Sequence, residues 1–396
     1  MAQPHPKLKF GHLGFPRRRA WAVLPKEGPG FRYTFHARYG IFQALRSLRG
    51  TQGKVVLVPA YDCPVVVQAI VDAGLRPRFY KIATDLSPDA TDLRRKWASD
   101  VRAIIITNYF GFPADMAAVT DDMRQSALII EDCAHSFLSC NPLRLAGGRG
   151  DVDVFAFWKI VPCMVGGGLA VTKAERSWQT ATRAIPLVES LRISKRLLEQ
   201  ALENLDSPLL NHCLTYVDEK LVRVQSTKMK SSQADSANHT PSDETHFDEL
   251  NPALIDASIP WLPRLILASA DLQSIAEARR RNYQIFQDGI REGGRVRRVF
   301  RELPDDVCPW IFPLILEGRQ RDRLDYQLRD QGVALYTFGS TLHAKVLNCG
   351  DADTLQNATF LAENLVCLSV HQDLAPAEAA ASVEKINAFM DSCAFQ

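Results

Sequence analysis

Ala127-Leu128-Ile129-Ile130-Glu131-Asp132-Cys133-Ala134-His135-Ser136 passes from an apolar stretch straight into two acids, a cysteine and a histidine. Four apolar residues are too few for a buried helix and suit a strand covered on both faces. In an open α/β sheet such a strand presents its last residues at the edge where ligands bind. An aspartate there can pair with a protonated pyridine nitrogen, and that charge pair makes the ring a better electron sink. The competing reading of Glu131-Asp132 is a helix cap or a surface acid pair. His135 can hydrogen-bond a ring hydroxyl or serve as a satisfied structural histidine.

Working downstream, Gly150-Asp151-Val152-Asp153-Val154-Phe155-Ala156-Phe157-Trp158-Lys159 reads as a second strand that ends in a lysine among apolar neighbours. Desolvation lowers an amine's pKa and makes it nucleophilic toward an aldehyde; the alternative is a lysine whose head reaches water. Gly166-Gly167-Gly168 permits close backbone approach or a plain tight turn before the strand Leu169 to Thr172. No GxGxxG fingerprint or P-loop accompanies it. Working upstream, His36 to Leu48 reads as a helix whose first turn, with Ala37 and Arg38, can bind phosphate. Val55 to Val58 reads as a strand, followed by Tyr61 and Cys63, which can lie against a flat ring; Tyr61 also suits a core. Further expected elements are the helix Pro64 to Ala73, the strand Ala103 to Thr107 and a helix over Ala114 to Arg124.

The 396 residues exceed one ordinary core, so two domains are expected. Residues 1–30 read as an irregular arm, 31–250 as a large α/β domain and 251–396 as a smaller one. The polar stretch 226–248 lacks aliphatic periodicity and reads as a loop or disordered insertion. In the smaller domain helix resumes around Leu265 to Glu292. Trp310 to Leu316, Asp322 to Gln331 and Val333 to Tyr336 then read strand–helix–strand, and Pro376 to Met390 reads as the last helix. With 47 basic against 45 acidic residues the chain has no global field for nucleic acid, and Arg17-Arg18-Arg19 reads as solvated surface. Nine cysteines without CxxC spacing argue against a disulfide framework and against a metal site. Neither a signal peptide nor a spanning helix is readable, so a cytoplasmic protein with no membrane partner is expected.

The ordered set resembles the DegT/DnrJ/StrS family of sugar aminotransferases over about residues 31–390. The residues that carry the likeness are Ala37-Arg38, Val58-Pro59-Ala60-Tyr61, Asn108 to Asp115, Glu131-Asp132-Cys133-Ala134-His135, Gly150-Asp151, Phe155-Ala156-Phe157, Lys159, Gly166-Gly167-Gly168, Leu342-His343 and Leu368 to His371. The resemblance implies an α/β fold: a large pyridoxal-phosphate (PLP)-dependent transferase-type domain, aspartate aminotransferase-like, with a mostly parallel sheet, plus a smaller C-terminal α/β domain. It implies Lys159 and Asp132 as catalytic residues, with Lys159 holding pyridoxal 5'-phosphate as a Schiff base. His135, Ala37, Arg38, Tyr61 and Cys63 join them as cofactor contacts. It also implies glutamate as amino donor, a keto sugar nucleotide as acceptor and a homodimer. The sequence departs from the family at four points. Only Trp158 separates Phe157 from Lys159, two residues fewer than usual. Ala156 replaces a serine, Gly167 stands where an acid is common, and Ser258 to Arg264 lacks the usual interface motif. A different PLP reaction such as sugar dehydration, or a degenerate fold serving as a scaffold, are the alternatives.

Overall fold

The computed structural model describes residues 5–9, 23–48, 53–172, 182–202, 249–318, 320–333 and 335–392. The expected insertion at 226–248 and the Arg17-Arg18-Arg19 cluster lie outside the described residues.

Nine strands belong to the first part of the chain: β1 (Phe31–Thr34), β2 (Val55–Pro59), β3 (Arg76–Tyr80), β4 (Val101–Thr107), β5 (Leu128–Cys133), β6 (Leu138–Cys140), β7 (Leu143–Leu145), β8 (Val152–Ala156) and β9 (Gly167–Val171). Seven of them form one sheet in the order β1-β9-β8-β5-β4-β2-β3. β3, β2, β4, β5 and β8 run parallel. β9 is antiparallel to both β8 and β1. β2 and most of β4 and β5 are continuous apolar runs, as strands covered on both faces are. β2 and β8 are buried at every position, as is β5 despite its two acids. A hairpin of β6 and β7 stands apart.

Four strands follow: β10 (Val296–Arg298), β11 (Ile311–Leu316), β12 (Leu335–Tyr336) and β13 (Leu365–Ser369). They form an antiparallel sheet in the order β10-β11-β13-β12. The helices Leu272–Gly289 and Pro376–Asp391 pack on each other beside it, burying Tyr283, Phe286, Ile386 and Phe389.

Several expectations need correction. Residues 114–124 do not form one helix. A 3-10 turn Met116–Ala118, capped by the Asp115 carboxylate on the Ala117 amide at 2.9 Å, is followed by a separate helix Asp121–Ser126. The Asx cap ends its turn before a second starts at Thr120. β3 escaped the sequence reading because it is a sheet edge with the partly polar sequence Arg-Pro-Arg, where proline is tolerated. Within the arm, residues 5–9 carry no helix or strand. Residues 5–9 lie against the body, with Leu8 1% exposed and the Lys9 ammonium 2.9 Å from Asp373.

Candidate active site

The C-terminal ends of β2, β4, β5 and β8 share one edge of the large sheet. Register places Thr107 of β4 beside Asp132, and Asp132 beside Val154 of β8. The pleat sends adjacent side chains of β5 to opposite faces. Glu131 is fully buried, accepts a hydrogen bond from Asn108 at 2.8 Å and pairs with the Arg149 guanidinium. Asp132 instead lines a cavity of about 390 Å³, which it shares with Lys159, His135, Ala37, Arg38 and Cys63. Of two neighbouring acids, one is structural and one faces the site.

Lys159 ends a 3-10 turn, Phe157–Lys159, that continues directly from β8. This tight turn spans the link that the sequence makes two residues short. The ammonium stands 4.3 Å from the centre of the Trp310 ring and 5.9 Å from that of Trp158. Burial pulls its pKa from 10.5 down to about 8, opposed by Cys63, Asp132 and Asp62. Asp132 accepts the Ala134 amide at 2.8 Å; burial pushes its carboxyl up, while that amide and Lys159 hold it down. His135 is stacked on Phe110, with ring centres 5.6 Å apart and planes 4° from parallel. Its Nδ1 accepts the Phe110 amide at 3.5 Å, which leaves the proton on Nε2. Burial, with Lys159 and His5 nearby, drives its pKa well below 6.5, so the ring is neutral.

The helix Ala37–Arg46 points its first turn at the same cavity. Its N-cap, His36, makes no side-chain cap bond, and Arg38 Nε is buried without a hydrogen-bond partner. Amides of a first turn beside an unspent guanidinium nitrogen suit a phosphate. β9 fits against this turn only because residue 167 is glycine. A Cβ there would stand 2.6 Å from Thr34 Oγ1 and 2.7 Å from the Ala37 nitrogen. The missing acid therefore has a steric cause in this chain.

Tyr61 alone of the expected contacts does not line the cavity. Its ring is fully buried and its hydroxyl donates to the Phe338 carbonyl at 2.6 Å, so it is a core aromatic. Its neighbour takes the place in the cavity. Asp62 accepts Thr107 Oγ1 at 2.8 Å and the Cys63 amide at 2.7 Å, and burial with Asp132 nearby raises its pKa. An acid just past a strand end was the signal for Asp62. His5, also missed, reaches the cavity from the N-terminal arm, its ring 4.7 Å from Trp158 and 5.7 Å from Trp310. Nothing near it in sequence marks it. Trp310 and Phe338 enter from the second sheet's region.

The donor set fits pyridoxal phosphate: a desolvated amine for an aldehyde, a buried carboxylate for a ring nitrogen, and a helix start with Arg38 for a phosphate. Among the described residues no cluster of three or more His, Cys, Asp or Glu side chains could hold a metal ion.

Residues 37–195 match the model of the DegT/DnrJ/EryC1/StrS aminotransferase family. GDP-perosamine synthase of Vibrio cholerae is 29% identical over 135 residues, covering 33% of this chain and 37% of that protein. The UDP-N-acetyl-3-dehydro-alpha-D-glucosamine 3-aminotransferase of Acidithiobacillus ferrooxidans is 30% identical over 159 residues, covering 35% and 42%. The chain thus matches about two fifths of these relatives' length. A DegT DnrJ EryC1 StrS aminotransferase structure from Brucella abortus superposes with a TM-score of 0.62 at 17% identity, covering 91% of this chain and 86% of that one. The fold is that of these aminotransferases.

Proposed function

We propose, from the match of residues 37–195 to the DegT/DnrJ/EryC1/StrS aminotransferase family model, that the protein is a PLP-dependent aminotransferase. It takes an amino group from glutamate and delivers it to a keto group of a nucleotide-linked sugar. The observation that carries this reading is one cavity in which a desolvated lysine and a buried aspartate converge with an open helix start.

Lys159 is the amine that would hold the cofactor, Asp132 the carboxylate for its ring nitrogen, and Arg38 with the first-turn amides of Ala37–Arg46 the phosphate cradle. Bound there, pyridoxal phosphate supplies an aldehyde for amine exchange and a protonated ring that takes up an electron pair. With its pKa near 8, about a quarter of Lys159 is neutral at pH 7.5, against roughly one part in a thousand for an ordinary lysine. The neutral amine would accept a proton from the substrate carbon that bears nitrogen and return it to the former aldehyde carbon on the far side of that nitrogen. Asp132 would pair with the cofactor's protonated ring nitrogen; the Ala134 amide and Lys159 oppose the upward push that burial gives its carboxyl. His135, a neutral Nε2–H donor, orients a ring oxygen. Trp310, Trp158 and Phe338 exclude water, which keeps the lysine weakly basic.

The reading includes a cytoplasmic homodimer. Leu187, Leu191 and Trp261 are exposed, 44% or more each, which is apolar surface a second copy would cover.

The test mixes the purified protein with pyridoxal phosphate and then with L-glutamate. The reading requires a visible absorbance band that borohydride bleaches while fixing the cofactor on Lys159, and that glutamate, in unreduced protein, converts to an ultraviolet amine band. UDP- and GDP-linked keto sugars should then restore the visible band. A protein that stays colourless with added cofactor sinks it.

A further inference from the structure

Arg279, on the helix Leu272–Gly289, is fully buried, and its guanidinium lies beneath the lysine turn. All five of its recorded hydrogen bonds end on neutral oxygens. Nη2 donates to the Lys159 carbonyl at 3.3 Å and the Ile160 carbonyl at 3.4 Å. Nη1 donates to the Trp310 carbonyl at 3.0 Å and the Pro309 carbonyl at 3.5 Å. Nε donates to Gln372 Oε1 at 3.1 Å, and Gln372 Nε2 in turn donates to the Ile160 carbonyl at 3.0 Å. A buried cation is costly unless each donor is used. Two of these acceptors are the backbones of residues whose side chains meet: the Lys159 ammonium and the Trp310 ring are 4.3 Å apart. The planar fork therefore fixes amine and indole against each other, across 120 residues of sequence on one side and 31 on the other.

We propose that Arg279, with Gln372, is a positioning residue for Lys159: it clamps the short turn that carries the amine to the strand entry that carries Trp310. The turn needs such a clamp. Its end leaves carbonyls that no further helical turn satisfies, and the link from β8 has one residue, Trp158, between Phe157 and the lysine. Without the clamp the turn relaxes and the amine leaves its apolar surround for water.

This inference rests on Lys159 being the reactive amine, and its test keeps the two apart. The variants are Arg279→Lys, which keeps the charge and loses the fork, and Gln372→Leu, which removes one strut and leaves Arg279. Circular dichroism and melting curves select the folded variants. Should Arg279→Lys fail to fold, Gln372→Leu decides. The first readout uses no cofactor. Lys159 is reductively methylated with 13C-formaldehyde, assigned by its loss in Lys159→Met, and titrated by NMR. The expected midpoint is near 8 in the parent and moves toward 10.5 in the variants. The second readout is imine formation with pyridoxal phosphate at pH 8, expected to slow about tenfold in step with the lost neutral amine. Folded variants with an unchanged lysine titration overturn the clamp. A shifted titration in a protein that never binds pyridoxal phosphate upholds the clamp and removes the cofactor reading instead.

Discussion

At the scale of single residues, burial sets the chemistry of the site more than any contact does. Desolvation is the largest influence on Lys159, Asp132 and His135 alike. It makes the amine less basic and leaves the imidazole uncharged, and it pushes the aspartate carboxyl up against the Ala134 amide and Lys159, which hold it down. For Lys159 the sign is plain: the folded pKa lies below the ordinary value, so the nucleophilic form grows as pH rises through about 8. Imine formation with pyridoxal phosphate should therefore climb with a midpoint near pH 8 and level off about one to two units above it; a midpoint near 10 would mean a solvated amine. Asp132→Asn keeps the shape and removes the charge. It should leave the cofactor fixed on Lys159 while kcat falls about 100- to 1000-fold, the usual loss when one preorganised electrostatic group is removed. Steady-state rates beside an intact absorbance band check this. Equal rates would assign the ring contact elsewhere, with Asp62 as the first alternative.

At the scale of elements, the site depends on close approach between pieces that have no side chains to spare. β9 meets the start of the helix Ala37–Arg46 at Gly167, where even a methyl group collides with the Ala37 nitrogen. Gly167→Ala should cost about 1–3 kcal/mol of stability through overpacking. It should also weaken cofactor affinity by moving the phosphate cradle. Melting and cofactor titration together test this, and an unchanged affinity would detach the helix start from the phosphate. The arm behaves as a second such element. Leu8 is buried, and Asp373 holds the Lys7 amide at 3.2 Å, which brings His5 to the cavity. Leu8→Ala should release residues 5–9 without unfolding the body, because these residues add no strand to any of the described sheets. Limited proteolysis should cut the arm of the variant several-fold faster at an unchanged melting temperature.

At the scale of the whole molecule, two kinds of contact join the sheets. One is the buried aromatic and guanidinium cluster around Trp310 and Arg279. The other is an ion-pair group at the surface: Lys81 with Asp353 at 2.7 Å, and Arg95 and Lys96 with Asp351 at 2.9 and 3.0 Å. Its partners are well exposed at Arg95 and Asp353, so solvent screens the group, and Asp351→Asn should cost under about 1 kcal/mol. Denaturant melts would expose a larger loss and move the weight of the interface to the surface. Among the described residues no helix is long and apolar enough to cross a membrane.

The order of residues along the chain made five of the seven strands of the main sheet legible and put Asp132 and Lys159 at strand ends that share a cavity. Short apolar runs bounded by glycine or proline identify buried parallel strands without reference to anything distant. An acid at the end of β5 and a lysine just past β8 follow from where those strands stop. The reading failed where neighbours in space are strangers in sequence. It assigned Tyr61 to the cavity and passed over Asp62, because rotation about a strand end decides which of two adjacent side chains looks inward. It passed over His5, Trp310 and Arg279, because no periodicity links them to Lys159. Local patterning encodes what each segment can become, since hydrogen bonding and side-chain alternation act over a few residues. Which segments then meet is decided by packing, and the cavity exists only after an arm, two sheets and one buried guanidinium have closed around it.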